Sequence, residues 1–234
     1  MAARRVRFAL LGTGNSTGVP WLNCVVNPHK RCAVCAHCMA HPSTSKNVRN
    51  NPSALVSVSH PDGRDRHILI DVGKTFRDTV LRQLPRLGVS RLAAVIITHA
   101  HMDAFGGLDD LRDVSPHATL PVYLTQTCYD VVARSFSYLV TKPATRGLFI
   151  ASLDWRVIQP DQPFEVEGLV VAPLRVEHGP PGPMLGFDKV GVDAEFFGDG
   201  RLGALFVLNI GEYGPDPYRP RGPRLEFDQV VSTV

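Results

Sequence analysis

The chain has 234 residues, 44% of them hydrophobic, and a formal net charge of +3, enough apolar material for a substantial core in one domain or two closely packed halves. The charge is mild, and the arginines are scattered apart from a terminal group at Arg219, Arg221 and Arg224, which allows an anionic substrate but gives no strong nucleic-acid signal. No apolar run has the length of a membrane span, and the leader Met1 to Arg5 is too short before the first strand for a signal peptide, so a cytoplasmic protein is expected.

In chain order, "RVRFALLG" places Val6, Phe8 and Leu10 on one face, as in a half-buried strand. It runs into "GTGNSTGVP", where Gly12, Gly14 and Gly18 lack dinucleotide spacing and Pro20 follows, so a tight turn beside a site is expected. Four of the five cysteines then crowd into residues 24 to 38, which in a chain without an export signal favours metal ligation over disulfides. "SALVSVSH" and "HILIDVG" form a hairpin around "PDGRDR", with Asp71 at the end of the second strand. "KTFRDTVLRQLPRLG" has Phe76, Val80, Leu84 and Leu87 at helical spacing, with Pro85 weakening its last turn and Gly88 as its stop.

"LAAVIITHAH" is apolar on both faces, as a covered strand is, and leads through Gly106-Gly107 into the helix start "LDDLRDV". "LPVYL" is a short strand, and "TQTCYDVVARSFSYLV" is one helix capped by Thr125 or Thr127, with Cys128 on its apolar face. Strands dominate thereafter. "FEVEGLVVAPLRVEHG" ends at His178, "AEFFGDGRLGALFVLNIG" reads as a hairpin, and the proline-rich residues 214–234 read as a loose tail. No repeat of 20 to 50 residues occurs. The order fits a layered α/β sandwich, a single domain over 1–234 with an inserted Cys-rich loop at 24–38.

The chemistry concentrates in "THAHMDAFGGL". On a strand or the turn after it, His99, His101 and Asp103 point to one side. Imidazoles suit zinc, manganese or iron(II), and a neighbouring carboxylate suits a harder ion that holds water, whose pKa such an ion lowers to about 7. The plain alternative is two histidines that merely end a strand.

This stretch resembles the HxHxDH signature of the metallo-β-lactamase superfamily, and "LLGTGNSTGVP", "ILIDVG" and "VEHG" follow that family's order. Within it, the "GTGxSxGVP" loop, the cysteine cluster, Lys46-Asn47 and Arg49-Asn50-Asn51 are most similar to the phosphodiesterase-like branch of phosphonate metabolism and its relatives among hydrolases. The resemblance implies an αββα sandwich over roughly residues 6 to 212. It also implies that His99, His101 and His178 bind a first metal, zinc or manganese, that Asp103 binds a second, and that Asp71 orients a ligand imidazole. Three departures stand out. Ala104 occupies the fourth motif position and cannot ligate, which leaves Asp109 or Asp110 as substitutes, or as ordinary helix-start carboxylates. Asn209 stands where the bridging aspartate is expected. No histidine follows His178, where the family continues through another helix and a last histidine. A truncated or spliced form, missing part of the C-terminal layer, or an incomplete second site is therefore expected.

Cys24, Cys32, Cys35 and Cys38 give C-x7-C-x2-C-x2-C, a spacing at which thiolates meet one structural zinc. The related phosphodiesterases use three cysteines and a distant histidine, so Cys38, or else His37 or His41, has to complete the set. Arg49 and Arg112 are the candidate cations for a phosphodiester. The resulting expectation is a metal-dependent hydrolase of small phosphodiesters acting through a metal-bound hydroxide. The rival is an inactive zinc-stabilised scaffold or binding module. No membrane partner is expected, and the sequence is compatible with a homo-oligomer.

Overall fold

The computed structural model describes residues 5–27, 29, 32–115, 119–141, 150–176, 178 and 184–190. The expected hairpin around Gly198 to Gly200, Asn209 and the 214–234 tail lie outside them, as does any further C-terminal layer.

Among the described residues, nine strands form two sheets. The larger has the order β1 (Val6–Gly12), β2 (Ser53–Ser59), β3 (Asp65–Ile70), β4 (Ala94–Ile96), β5 (Leu120–Leu124), β6 (Leu153–Val157). Its first three strands are antiparallel, and β3 through β6 run parallel. The smaller is an antiparallel meander of β7 (Phe164–Val166), β8 (Leu169–Val176) and β9 (Met184–Val190). The β7–β8 turn uses Glu167 (φ 49°) and Gly168 (φ 73°), the two positive φ values that a tight two-residue hairpin requires.

The alternation of side chains along the strands assigns the layers. Leu55, Leu69, Val95 and Val122 face one apolar cluster with Phe76, Phe105, Leu108, Leu111 and Val132, all from helical segments. Ala54, Ile68, Ile70 and Ile96 face a second cluster with Val166, Leu169 and Leu185 of the smaller sheet. The large sheet is thus covered by helices on one face and by a sheet on the other, which explains why β4 and the second half of β3 are apolar at every position. Each of its fully buried leucines contributes about 1.5–3 kcal/mol.

Val6, Phe8 and Leu10 share one face as expected, pairing with Val58, Val56 and Ala54, but Leu10, near the strand end, is 41% exposed, while Leu11, on the opposite face with Ala9, is buried; the register shifts only after Leu10, before Gly12. One expectation changes. The long helix after β5 is two pieces, α5 (Gln126–Ser135) and α6 (Ser137–Val140), broken at Phe136, where φ is −129° and ψ is 57°. Thr125 is the N-cap and accepts from the Cys128 amide at 3.2 Å. The other helices are α1 (Leu22–Val26), α2 (Ala33–Ala40), α3 (Phe76–Gln83) and α4 (Met102–Phe105), with a 3-10 turn over Leu108–Asp113. No helix among the described residues is long and apolar enough to cross a membrane.

Segment 71–75 is strapped to α4. The Val72 amide donates to the Ala104 carbonyl at 2.7 Å and the Lys74 amide to that of Met102 at 3.1 Å, so a Cβ on Gly73 would fall 2.0 Å from the Asp103 carbonyl oxygen. Gly73→Ala is therefore expected to cost at least about 1–3 kcal/mol by urea unfolding. Gly63→Ala, which meets nothing within 4 Å but has a φ of +77°, is expected to cost about 1 kcal/mol.

Candidate metal centre

β3 and β4 run parallel and end side by side, delivering Asp71 and the Thr98–His101 segment to the same edge of the sheet. Asp71 has a φ of 61°, a left-handed conformation that aspartate tolerates better than most residues, and it is 2% exposed. Its carboxylate accepts from the Thr98 amide at 2.8 Å and the Thr98 hydroxyl at 2.7 Å. The hydroxyl has one proton, so its oxygen is left to accept from Nδ1 of His99 at 2.8 Å. This relay fixes the tautomer of His99 and leaves its Nε2 as a lone pair, buried and without a hydrogen-bond partner.

That lone pair belongs to a cluster of three imidazoles. His99, His101 and His178 each place a donor atom within 4.8 Å of the others. Their rings meet edge to face, with centroids 4.9 Å apart for His99–His101, 4.6 Å for His99–His178 and 5.2 Å for His101–His178. His178 follows β8, and the β8–β9 pair is stitched to this edge by the Leu185 amide, which donates to the Thr98 carbonyl at 3.0 Å. Burial, then the charges of His99 and His101, hold His178 below the ordinary histidine range. Asp103, in the first turn of α4, places Oδ1 3.6 Å from His99 Nε2, beyond hydrogen-bond range, and lies to one side of the three-histidine group. Burial alone would raise its carboxyl, but His99, backed by His101, holds it below the usual carboxylate range. Three imidazoles beside a carboxylate form a donor set for a divalent cation.

Ala104 is fully buried among Val72, Phe105 and Leu108, turned to the core and away from the histidines. Asp109 pairs with Arg112 at 2.9 Å along the 3-10 turn, and Asp110 sits on the same turn; neither joins the histidine group. Arg49 donates to the carbonyls of Lys46 and, at 2.9 Å, Val48. The two arginines nominated for substrate thus have partners of their own. Thr98 was not singled out by sequence pattern, and Asn51 entered only as part of the "RNN" triplet, with no role given. Asn51, 2% exposed, donates to the Asn15 and Ser16 carbonyls at 3.0 and 3.1 Å, and a Cβ on Gly12 would fall 1.9 Å from its own carbonyl oxygen. Their close approach explains the glycines of the "GTGNSTG" turn, and the "RNN" triplet was the available signal.

A second cluster joins Cys24, Cys32 and Cys35, their sulfurs within 4.8 Å of one another. Cys32 caps α2 and accepts from the Cys35 amide at 3.4 Å, and Cys35 accepts from the Trp21 amide at 3.3 Å. The Trp21 amide draws the Cys35 thiol down, but burial and the neighbouring Cys32 and Cys24 push it up to about 11. Cys38 does not complete this group; one turn further along α2, it is buried and accepts from the Ser45 hydroxyl at 3.6 Å. His37 contacts Ser45 at 3.0 Å and packs at a tilt against the His41 ring, centroids 4.7 Å apart. Cys128 lies in the core, as its apolar helix face implied.

The chain belongs to the beta-lactamase superfamily: the family model described as "Beta-lactamase superfamily domain" matches residues 66–194. A crystal structure of a diphosphatase from the PhnP family is similar at a TM-score of 0.59 and 27% identity, covering 80% of this chain and 62% of that one. An octanoyltransferase of Porphyromonas gingivalis is 35% identical over 186 residues, 80% of this chain but 33% of the relative. The chain therefore spans about a third of that relative and less than two thirds of the solved diphosphatase.

Thr98→Val is expected to weaken metal binding about 10- to 100-fold in a chelator competition, with Thr98→Ser restoring it. A second expectation concerns the metal-free chain. Asp71 is raised by burial from 3.8 to about 7, so its contribution to stability is full below 3.8 and is lost as the pH rises through 7. His178 and His67, both held low chiefly by burial, act in the opposite sense. The quantity to measure is therefore the urea stability of wild type minus that of Asp71→Asn, which should fall on the order of a few kcal/mol from pH 4 to pH 8.

Proposed function

We propose that this chain is a metal-dependent hydrolase acting on small phosphodiesters in the cytoplasm, with His99, His101 and His178 holding a divalent ion and Asp103 beside it. The observation that carries this reading is the buried Nε2 lone pair of His99, its other nitrogen committed to Thr98 and its face turned to two more imidazoles. A group so placed costs free energy unless something accepts the lone pair. The three histidines would hold zinc or manganese, which would supply Lewis acidity and lower the pKa of bound water. Asp71, through Thr98, keeps His99 in the tautomer that presents Nε2. Asp103, ionised by its histidine neighbours, is placed to orient an attacking water by accepting its hydrogen bond. The 27% identity to a diphosphatase supports phosphorus–oxygen bonds as the target.

The Cys24, Cys32 and Cys35 thiols are proposed to hold a structural zinc. Helix α1 buries no residue, and α2 buries only Cys35 and Cys38, so the segment has little apolar core of its own and a metal would supply what burial does not. The rival reading, an inactive zinc-stabilised scaffold, draws on Ala104, which takes the fourth motif position out of the site.

Turnover of bis(p-nitrophenyl) phosphate with added zinc or manganese separates the two. The wild-type chain is expected to hydrolyse it, with Asp103→Ala slower by about 100-fold; equal rates for both would leave only the scaffold. Zinc content gives a parallel check: Cys32→Ala/Cys35→Ala is expected to lose one ion per chain while retaining hydrolysis in proportion to the folded fraction.

A further inference from the structure

We propose that the cleft at the opposite end of the six-stranded sheet is a second ligand site, taking a small organic anion with a carboxylate or phosphate on an apolar body. The cleft has a volume of about 670 Å³, within the range of small-molecule sites. It opens where β3, β4 and β5 begin, whereas the histidines stand where β3 and β4 end. From Asp65 to Asp71 is six residues, roughly 20 Å at ~3.3 Å per residue, so the two sites share a scaffold and no side chain.

The charge in the cleft is arranged for an anion. Arg64, Arg66 and Arg91 line it, with Asp65 and Glu167 as its carboxylates. Both carboxylates already have cationic neighbours: Asp65 pairs with Arg7 and accepts from the Ser59 hydroxyl, and Glu167 lies 3.9 Å from His60 and 4.0 Å from Arg66. Arg66 in turn is held by Asp62 at 2.7 Å. Arg64 and Arg91 make no ion pair within 4.0 Å among the described residues, although Arg64 lies near enough to Asp62 to draw its carboxyl down, and both residues line the same opening. Pro121, with Leu92 and Leu120 almost fully buried behind it, gives the cleft a narrow apolar wall, while Ser90 and Thr119 add hydroxyls at its edge. Two guanidiniums over such a wall fit an anionic head on an apolar body, since a guanidinium presents paired donors to carboxylate or phosphate. A bare inorganic ion would leave the wall unused.

Nitrogen-15 NMR titration of the zinc-loaded full chain with phenylphosphonate, and separately with benzoate, tests this without reference to catalysis. Saturable amide shifts are expected at Ser90, Arg91 and Thr119, weakened at least tenfold in Arg64→Ala/Arg91→Ala and weakened by added salt. Tighter binding of phenylphosphonate would mark a phosphate site, and tighter binding of benzoate a carboxylate site. Both arginines are exposed, so the double variant is expected to keep the wild-type melting temperature, and Arg91→Lys serves as a milder second variant. Shifts confined to residues 99–106, no shifts at all, or shifts at the cleft that the double variant leaves unchanged would overturn the proposal. Failure of the hydrolase reading would leave these outcomes untouched.

Discussion

The described structure turns on Thr98. Its amide and hydroxyl bind Asp71, its hydroxyl oxygen receives His99, and its carbonyl receives the Leu185 amide of the smaller sheet. One residue, 2% exposed, thereby joins the end of β3, the first histidine and the sheet whose β8 strand leads to the third. Strand-end loops are mobile by default unless backbone and side-chain groups are paired. Here the pairing around Thr98 is nearly complete, and the His99 nitrogen that faces the other two histidines is left without a partner.

Around this joint the chain is built for close approach. Gly73 lets segment 71–75 lie directly on α4, and Gly12 and Gly14 let the first loop lie on Asn50 and Asn51. These contacts draw segment 71–75, Asp103 and the loop 12–18 together, with the Asn51 side chain tying in that loop, which is how a site made of distant segments can be rigid. The Cys-rich insertion follows a different logic. Trp21, Leu22, Val26, Val34 and Met39 are all exposed there, and its order rests on three sulfurs and their amide donors.

Much of this was legible in the sequence because it depends on local pattern. The buried strands, the β2–β3 hairpin, the Thr125 cap and the grouping of His99, His101 and His178 follow from alternation, turn residues and a spaced motif that resembles a known family. What was hidden depends on three-dimensional register. The exposure of Leu10 beside a buried Leu11 leaves no mark in an apolar pair. The break at Phe136 lies inside a continuous helical pattern. Thr98 looks like one more β-branched strand residue, and only the geometry shows its hydroxyl shared between a carboxylate and an imidazole. Ala104 was visible as a gap in the motif, but its place in the core, which rules it out of the site, was not. The partners of Arg49 and Arg112 were equally invisible, because arginine's reach makes its neighbours unpredictable from spacing.

The central claim is that His99, His101 and His178 share one cation. Crystals grown with zinc and measured on both sides of the zinc absorption edge test it directly. The account predicts an anomalous peak about 2.0–2.1 Å from one nitrogen of each of the three rings, with Thr98 still bridging Asp71 and His99. Absence of that peak, or a peak there with His178 turned away from it, would contradict the account.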